Sequence, residues 1–303
     1  MTDGRARVWD ADRPVDLLGT LGPLRRGSGD PAHRVDERGY WWACHTPVGA
    51  GTLTLATSGS RVSSRAWGPG AEWLLDRVPV LLGAHDDWSA LDVSSLPVLD
   101  RTLRSRPGLR LPSTGLVLDV LVPAILEQKV TGQEAWRSWR QLVWRFGTPA
   151  PGPMRGLRVP PTPQVLLGIP PWEWHRMGVD LRRQRTIRAA ANVATRLEEC
   201  TALPPQAAVA RLRLVPGIGA WTAAETVQRA LGAPDEVSVG DYHLPNVVVH
   251  LFTGRPRGTD EEMLDLLVPW AGQRQRVMRL VEATGIGAPR FGPRFAFPEI
   301  RAM

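Results

Sequence analysis

AAVARLRLVPGIGAWTAAETVQRALGAPDEVSVGDYHLPNVVVHLF, running from Ala207 to Phe252, decides the reading of this chain. One helix ends near Leu214, Pro216-Gly217-Ile218-Gly219 forms a tight hairpin, and a second helix runs from about Ala220 to Leu231 before Gly232 stops it. Gly217 and Gly219 allow the backbone to turn sharply and approach a partner closely. The amides opening the following helix point outward with positive potential, which suits a phosphate oxygen. A bare GxG is weak on its own, because any corner between two helices can use it. Further on, Asp241 follows Gly240 and opens DYHLPNVVVHLF, where it can cap a helix with its carboxylate against the amides and the positive end of the helix dipole. Without context, a cap is all that Asp241 need be.

Around this stretch, 303 residues provide for two or three lobes and a sizeable core. The formal charge of +7 and a pI near 10.7 favour a polyanionic partner, although charge alone does not specify a fold. Lys129 is the only lysine, so the basic side chains are otherwise arginines, suited to forked phosphate contacts; genome base composition would produce the same bias. Two cysteines, Cys44 and Cys200, exclude a disulfide framework and any cysteine-held zinc or iron–sulfur centre. No apolar run approaches the roughly 18 to 20 residues of a bilayer span, and MTDGRARVWD lacks a signal-peptide core. The expectation is a cytoplasmic protein that does not contact membranes.

The fold class expected is mainly α with an N-terminal α/β lobe. GYWWACHT, GTLTLAT and SRVSSRAW alternate as strands, followed by a helical AEWLLDRVPVLL, which sets a mixed α/β domain over residues 1–94. Helical periodicity then continues to the RFAFPEI tail. A central helical domain is expected over 116–234 with the hairpin at 214–223, and a C-terminal helical domain over 95–115 plus 235–303 carrying Asp241. In LDVLVPAILEQKV, Asp119 is read as an N-cap that places Pro123 in the first turn. In TGQEAWRSWRQLVWRF, Trp136, Trp139, Val143 and Phe146 share one apolar face. Residues 147–172, crowded with Pro and Gly, read as an irregular connector, and LRRQRTIRAAANVATRLEE as a helix with a solvated basic side.

Four separated segments resemble the helix-hairpin-helix DNA glycosylases, and within them the bacterial 3-methyladenine DNA glycosylase II (AlkA-type) group: RPGLRLP at Arg106–Pro112, AILEQKV at Ala124–Val130, LVPGIGAWTA at Leu214–Ala223 and GDYHL at Gly240–Leu244. PTPQ at Pro161–Gln164 is also similar. The resemblance implies that Asp241 is the catalytic carboxylate and that His243 completes an Asp-x-His arrangement. Trp221 stands where bifunctional members carry a nucleophilic lysine, which implies hydrolysis without a Schiff base. It implies a base pocket of Trp221, Glu225, Tyr242 and His243, where Glu225 replaces the family's aromatic and either favours a cationic base or is an ordinary surface residue. DNA contacts are implied at Pro216, Gly217, Ile218, Gly219, Ala220 and Thr222, with Gln128 and Lys129 filling the gap left by an extruded base. No cofactor is implied beyond a sodium or potassium ion on the carbonyls of Arg213, Val215 and Gly217.

The chemistry suits these residue types. Breaking an N-glycosidic bond puts positive charge on the deoxyribose, which a fixed carboxylate stabilises. The expected partner is double-stranded DNA with a damaged base, an alkylated purine first, and the protein is expected to be a monomer. Two rival readings are a non-catalytic hairpin module that recognises damage and a glycosylase for oxidised or deaminated bases. Trp270 either lines the site or packs, and Gln273, Arg274 and Arg276 are candidates for the DNA backbone.

Overall fold

The protein is described here by a computed structural model covering residues 4–289; the RFAFPEI tail lies outside them. Five strands, β1 (Arg5–Asp10), β2 (His33–Asp36), β3 (Gly39–Thr46), β4 (Gly49–Ser58) and β5 (Arg61–Trp67), make one antiparallel sheet in the order β1-β5-β4-β3-β2. Two-residue turns join β2 to β5 in sequence, with Asp36 opposite Gly39, Thr46 opposite Gly49 and Ser58 opposite Arg61. Gly59, inside the third turn, takes a positive φ, as do Gly39 and Gly49, the first strand residues after the other two. In β5 the alternation is plain, since Val62, Ser64 and Ala66 point inward. β3 is buried on both faces because the sheet is covered twice. The Ala71–Leu81 helix packs on one side, and Leu157 and Val159 of the connector meet Trp41, Ala43 and Trp67 on the other.

Strands β1 and β2 escape a pattern search for a physical reason. β1 is an exposed edge whose side chains make ion pairs, Arg5 with Glu72 and Arg7 with Glu72 and Asp76, so no apolar alternation marks it. β2 has four residues and buries a polar one, His33, which bonds the Tyr40 hydroxyl through Nδ1 at 2.8 Å. The connector is more ordered than its composition suggests, with Thr148–Pro149 pairing Arg158–Val159 before two short helices, Pro163–Gly168 and Pro171–Arg176.

A central core gathers the helices Val117–Leu126, Gly132–Phe146, Leu181–Asn192 and Ala220–Ala230. A third core joins Leu99 and Leu109 to Val237, Val248, Met263, Trp270 and the Arg274–Ala283 helix. Trp88, Leu91 and Val93 pack there too, so this core begins before residue 94. Arg110 is fully buried, donating to Asp12 at 2.9 Å and to the Arg13 carbonyl, which locks the RPGLRLP segment against the N-terminal lobe. Asp86 accepts from the Leu111 amide at 2.7 Å and pairs with Arg276 at 2.8 Å, tying that segment to the C-terminal helices.

The Val117–Leu126 helix differs from expectation. Its N-cap is Leu116, Pro123 lies inside the helix, and Asp119 sits in its first turn without capping it. Glu198, distant in sequence, supplies the cap by accepting from the amides of Val117 and Leu118, each at 2.8 Å. At the other end, buried Arg183 donates to the Leu126 carbonyl at 2.8 Å. An acid thus meets the positive end of the dipole and a base the negative end, both delivered by residues 181–198. Nine of the ten residues are buried, each aliphatic side chain contributing about 2 kcal/mol by leaving water.

Burial pushes Asp119 up to about 7, helped by the neighbouring Glu198 carboxylate, whereas burial brings His33 down to about 4. Above about pH 4 the unfolded chain releases a proton that folded Asp119 retains, so this acid costs stability as pH rises towards 7. His33 has the opposite sign, its neutral folded form adding stability as pH rises from about 4 to 6.5. Asp119→Asn is therefore expected to raise Tm above pH 7, to match the wild type below about pH 4, and to leave a profile that climbs between those limits. Thermal melts across pH check this, and a constant offset would contradict it.

Candidate active site

The hairpin forms as its residues dictate. The Pro205–Leu212 helix ends at Arg213, the Ile218 amide bonds the Val215 carbonyl at 3.1 Å, and the Ala220–Ala230 helix opens at Gly219 without a side-chain cap. The first-turn amides of that helix have no acceptor within it and face outward. The two glycines serve different ends. Gly217 has φ +92°, and a Cβ there would lie 2.0 Å from Thr186 Oγ1, so it is needed for packing on the Leu181–Asn192 helix. A Cβ on Gly219 would meet nothing within 4 Å, which leaves the backbone open to an incoming group. Pro216, Gly217, Gly219 and Ala220 are exposed, Ile218 and Thr222 buried, and Leu214 stands 82% exposed at the corner.

Gln128 reaches the hairpin directly. Its Nε2 donates to the Gly217 carbonyl at 3.1 Å and to Thr222 Oγ1 at 2.9 Å, bracing the turn after the buried Val117–Leu126 helix against the hairpin. Lys129, next to it, is exposed with φ +57°, the only non-glycine positive φ among the described residues. Of the three carbonyls assigned to a cation, Gly217 already accepts from Gln128 and Val215 from the Ile218 amide. Each of these carbonyls keeps a second lone pair that the bonds do not use.

Asp241 is half-buried just ahead of the Leu244–Thr253 helix. The N-cap of that helix is His243 and not Asp241, but Asp241 Oδ1 still accepts from the amides of His243 at 2.8 Å and Leu244 at 2.9 Å, the second being the first amide of the helix. Its Oδ2 accepts from Trp221 Nε1 at 3.1 Å, which turns the other oxygen towards the hairpin's second helix. Gly240 takes φ +91°, and its amide donates to both Asp260 oxygens at 3.1 Å, fixing the approach to Asp241. Tyr242 (81% exposed) and His243 stand edge to face, ring centroids 4.9 Å apart, beside the acid. Cavities of about 630 and 490 Å3 lie elsewhere, one between Val193 and Leu214–Pro216, the other among His45, Leu118, Pro160–Gln164 and Glu198.

Glu225 is neither free to meet a base nor an ordinary surface residue. Its Oε2 pairs with Arg229 at 2.7 Å, its Oε1 accepts from the Ser238 hydroxyl, and its side chain is 12% exposed. Burial pulls the Arg229 guanidinium down, but Glu225, Glu127 and Glu282 outweigh it and the net shift is upward. Trp270 packs, with its indole N–H on the Asp92 carbonyl and its ring edge to face with Phe252. The polar residues that follow it bond within the chain: Arg274 forks onto Asp235, Arg276 pairs with Asp86, and Gln273 bonds the Ala90 carbonyl. Sequence reasoning missed Ser238, Gln228 and Asp260. The spacing of Trp221, Glu225 and Gln228 on one helix face was the available signal for the first two.

Known proteins bear on this geometry. No family profile matches the chain. Over 153 residues, 49% of its length, it is 31% identical to a probable bifunctional transcriptional activator/DNA repair enzyme AlkA of Mycobacterium tuberculosis. The match covers 30% of that relative, so the chain aligns with under a third of the curated proteins it resembles. The fold is that of the helix-hairpin-helix DNA glycosylases. A 3-methyladenine DNA glycosylase from Archaeoglobus fulgidus superposes with TM-score 0.73 at 18% identity, covering 91% of this chain and 97% of that one. The 8-oxoguanine glycosylase/lyase of Clostridium acetobutylicum, in complex with DNA, superposes at 0.69 with 11% identity, covering 93% and 98%.

The glycines separate stability from binding. Gly217→Ala is expected to cost about 2 kcal/mol or more, from positive φ and the Thr186 clash. Gly219→Ala should leave Tm unchanged and weaken affinity for duplex DNA. Melting curves and fluorescence anisotropy check both, and equal losses of Tm would refute the division.

Proposed function

We propose that this protein is a monofunctional DNA glycosylase that hydrolyses the N-glycosidic bond of a flipped-out damaged base, an alkylated purine first among them. The reading is carried by Asp241, a half-buried carboxylate held by three N–H donors beside the anion-binding hairpin, with one oxygen spent on the helix and the other turned inward. The hairpin amides take a DNA phosphate without reading sequence. The braced turn with Lys129 at its tip enters beside the gap, and the damaged nucleotide swings out at a cost of a few kcal/mol. As the bond to the base lengthens, positive charge develops on the deoxyribose and Asp241 stabilises it, then orients the water that adds to the sugar. An alkylated purine that already carries positive charge leaves without a strong acid. Trp221 and the open faces of Tyr242 and His243 offer surfaces for the extruded nucleotide.

Trp221 replaces an amine, so product release requires no Schiff base and no strand cleavage. No cofactor is needed, and no step passes through a cation at the hairpin. The protein works as a cytoplasmic monomer on double-stranded DNA; among the described residues no helix is long and apolar enough to cross a membrane. The non-catalytic alternative accounts for the hairpin but gives the inward oxygen of Asp241 no task.

Asp241→Asn is expected to abolish base release, with a loss of about 100-fold or more, while duplex affinity stays within about twofold. The assay uses methylated, hypoxanthine-, uracil- and 8-oxoguanine-containing duplexes with identification of the freed base. Unchanged release from the variant would remove Asp241 from the chemistry, and release of only an oxidised or deaminated base would replace the alkylated substrate.

A further inference from the structure

We propose that Glu225 is a positioning residue which, through Ser238, fixes the strand of chain that carries Asp241. The inference rests on the glycosylase reading for its catalytic consequence and on geometry alone for the tether. Trp221, Glu225 and Gln228 lie one and two turns apart on one face of the Ala220–Ala230 helix, and all three bond the segment Glu236–Asp241. Gln228 Nε2 donates to the Glu236 carbonyl at 2.9 Å and to Ser238 Oγ at 3.0 Å. The Ser238 hydroxyl in turn donates to Glu225 Oε1, and the Ser238 carbonyl accepts from the Asp241 amide at 3.3 Å. Trp221 closes the run on Asp241 Oδ2.

Arg229 makes the arrangement rigid. Its guanidinium holds Glu225 Oε2 at 2.7 Å and the Pro23 carbonyl at 3.2 Å, so the carboxylate is anchored from the N-terminal lobe before it reaches Ser238. A side chain this enclosed and already paired presents no free charge to a base. Glu225 therefore does not choose cationic over neutral substrates; it sets the distance between the hairpin helix and Asp241. Catalysis by a fixed carboxylate is sensitive to such placement, because an error of about 1 Å can cost about 100-fold in rate.

The test compares Glu225→Ala, Glu225→Gln and Ser238→Ala with the wild type by two readouts. In hydrogen exchange, the amides of Asp241, His243 and Leu244 should exchange about tenfold faster in the two alanine variants and at a rate between these and the wild type in Glu225→Gln, whose amide oxygen still accepts from Ser238 while its NH2 loses the Arg229 anchor. In single-turnover base release, Glu225→Ala should lose about 10- to 100-fold with DNA affinity within about twofold, and Glu225→Gln should recover part of that loss. The ratio of rates on 3-methyladenine and neutral hypoxanthine should not change. Unaltered exchange in Glu225→Ala overturns the tether. Faster exchange with an undiminished rate overturns its catalytic role, and a changed substrate ratio in Glu225→Gln restores charge selection. If the wild type frees no base from any duplex, the proposed function fails, while the exchange measurement still decides the tether.

Discussion

A single buried helix, Val117–Leu126, carries the weight of this architecture. It is apolar nearly all round, so it cannot satisfy its own ends with water, and two charged side chains from residues 181–198 do so instead: Glu198 at the first amides and Arg183 at the last carbonyl. The charges match the helix dipole, and each is offset by hydrogen bonds rather than left bare. The turn leaving this helix delivers Gln128 to the hairpin. The orientation of the Ala220–Ala230 helix, which packs along it, thus depends on a helix whose ends are tied down elsewhere in the chain.

The candidate site arises where three cores meet. The Ala220–Ala230 helix belongs to the central core, Asp241 lies at the entrance to the third, and Arg229 reaches back to Pro23 of the first lobe. Polar side chains span these junctions: the Trp221, Glu225 and Gln228 face, the Arg26–Glu127 pair at 3.2 Å, and the Asp86 cluster. Apolar packing within each lobe supplies most of the stability, but it is not directional. Hydrogen bonds of defined length and angle are what can hold a carboxylate in register with a hairpin on another element.

Asp241 ties two helices together through its two oxygens. The two amides on Oδ1 fix the carboxylate plane, and that constraint is what aims Oδ2 at the hairpin helix. The two glycines of the turn also differ: packing leaves no room for a Cβ on Gly217, whereas Gly219 faces open space.

Much of this was written in the local sequence. The alternation in β3 to β5, the turn residues between them, the PGIG hairpin and the helix stop at Gly232 follow from backbone geometry and short-range periodicity, so they are legible residue by residue. The position of Asp241 before a helix was legible for the same reason. What the tertiary structure alone decided is partnership. The cap of Val117–Leu126 comes from Glu198 and not Asp119, because a helix end takes whichever acceptor folding brings to it. Arg274 and Arg276, which read as candidates for an external polyanion, find internal carboxylates. Glu225, which reads as a pocket or surface residue, is enclosed by Arg229 and Ser238. Local conformation needs only neighbours in sequence, but the partner of a charge depends on which distant segment arrives beside it, and no periodicity encodes that.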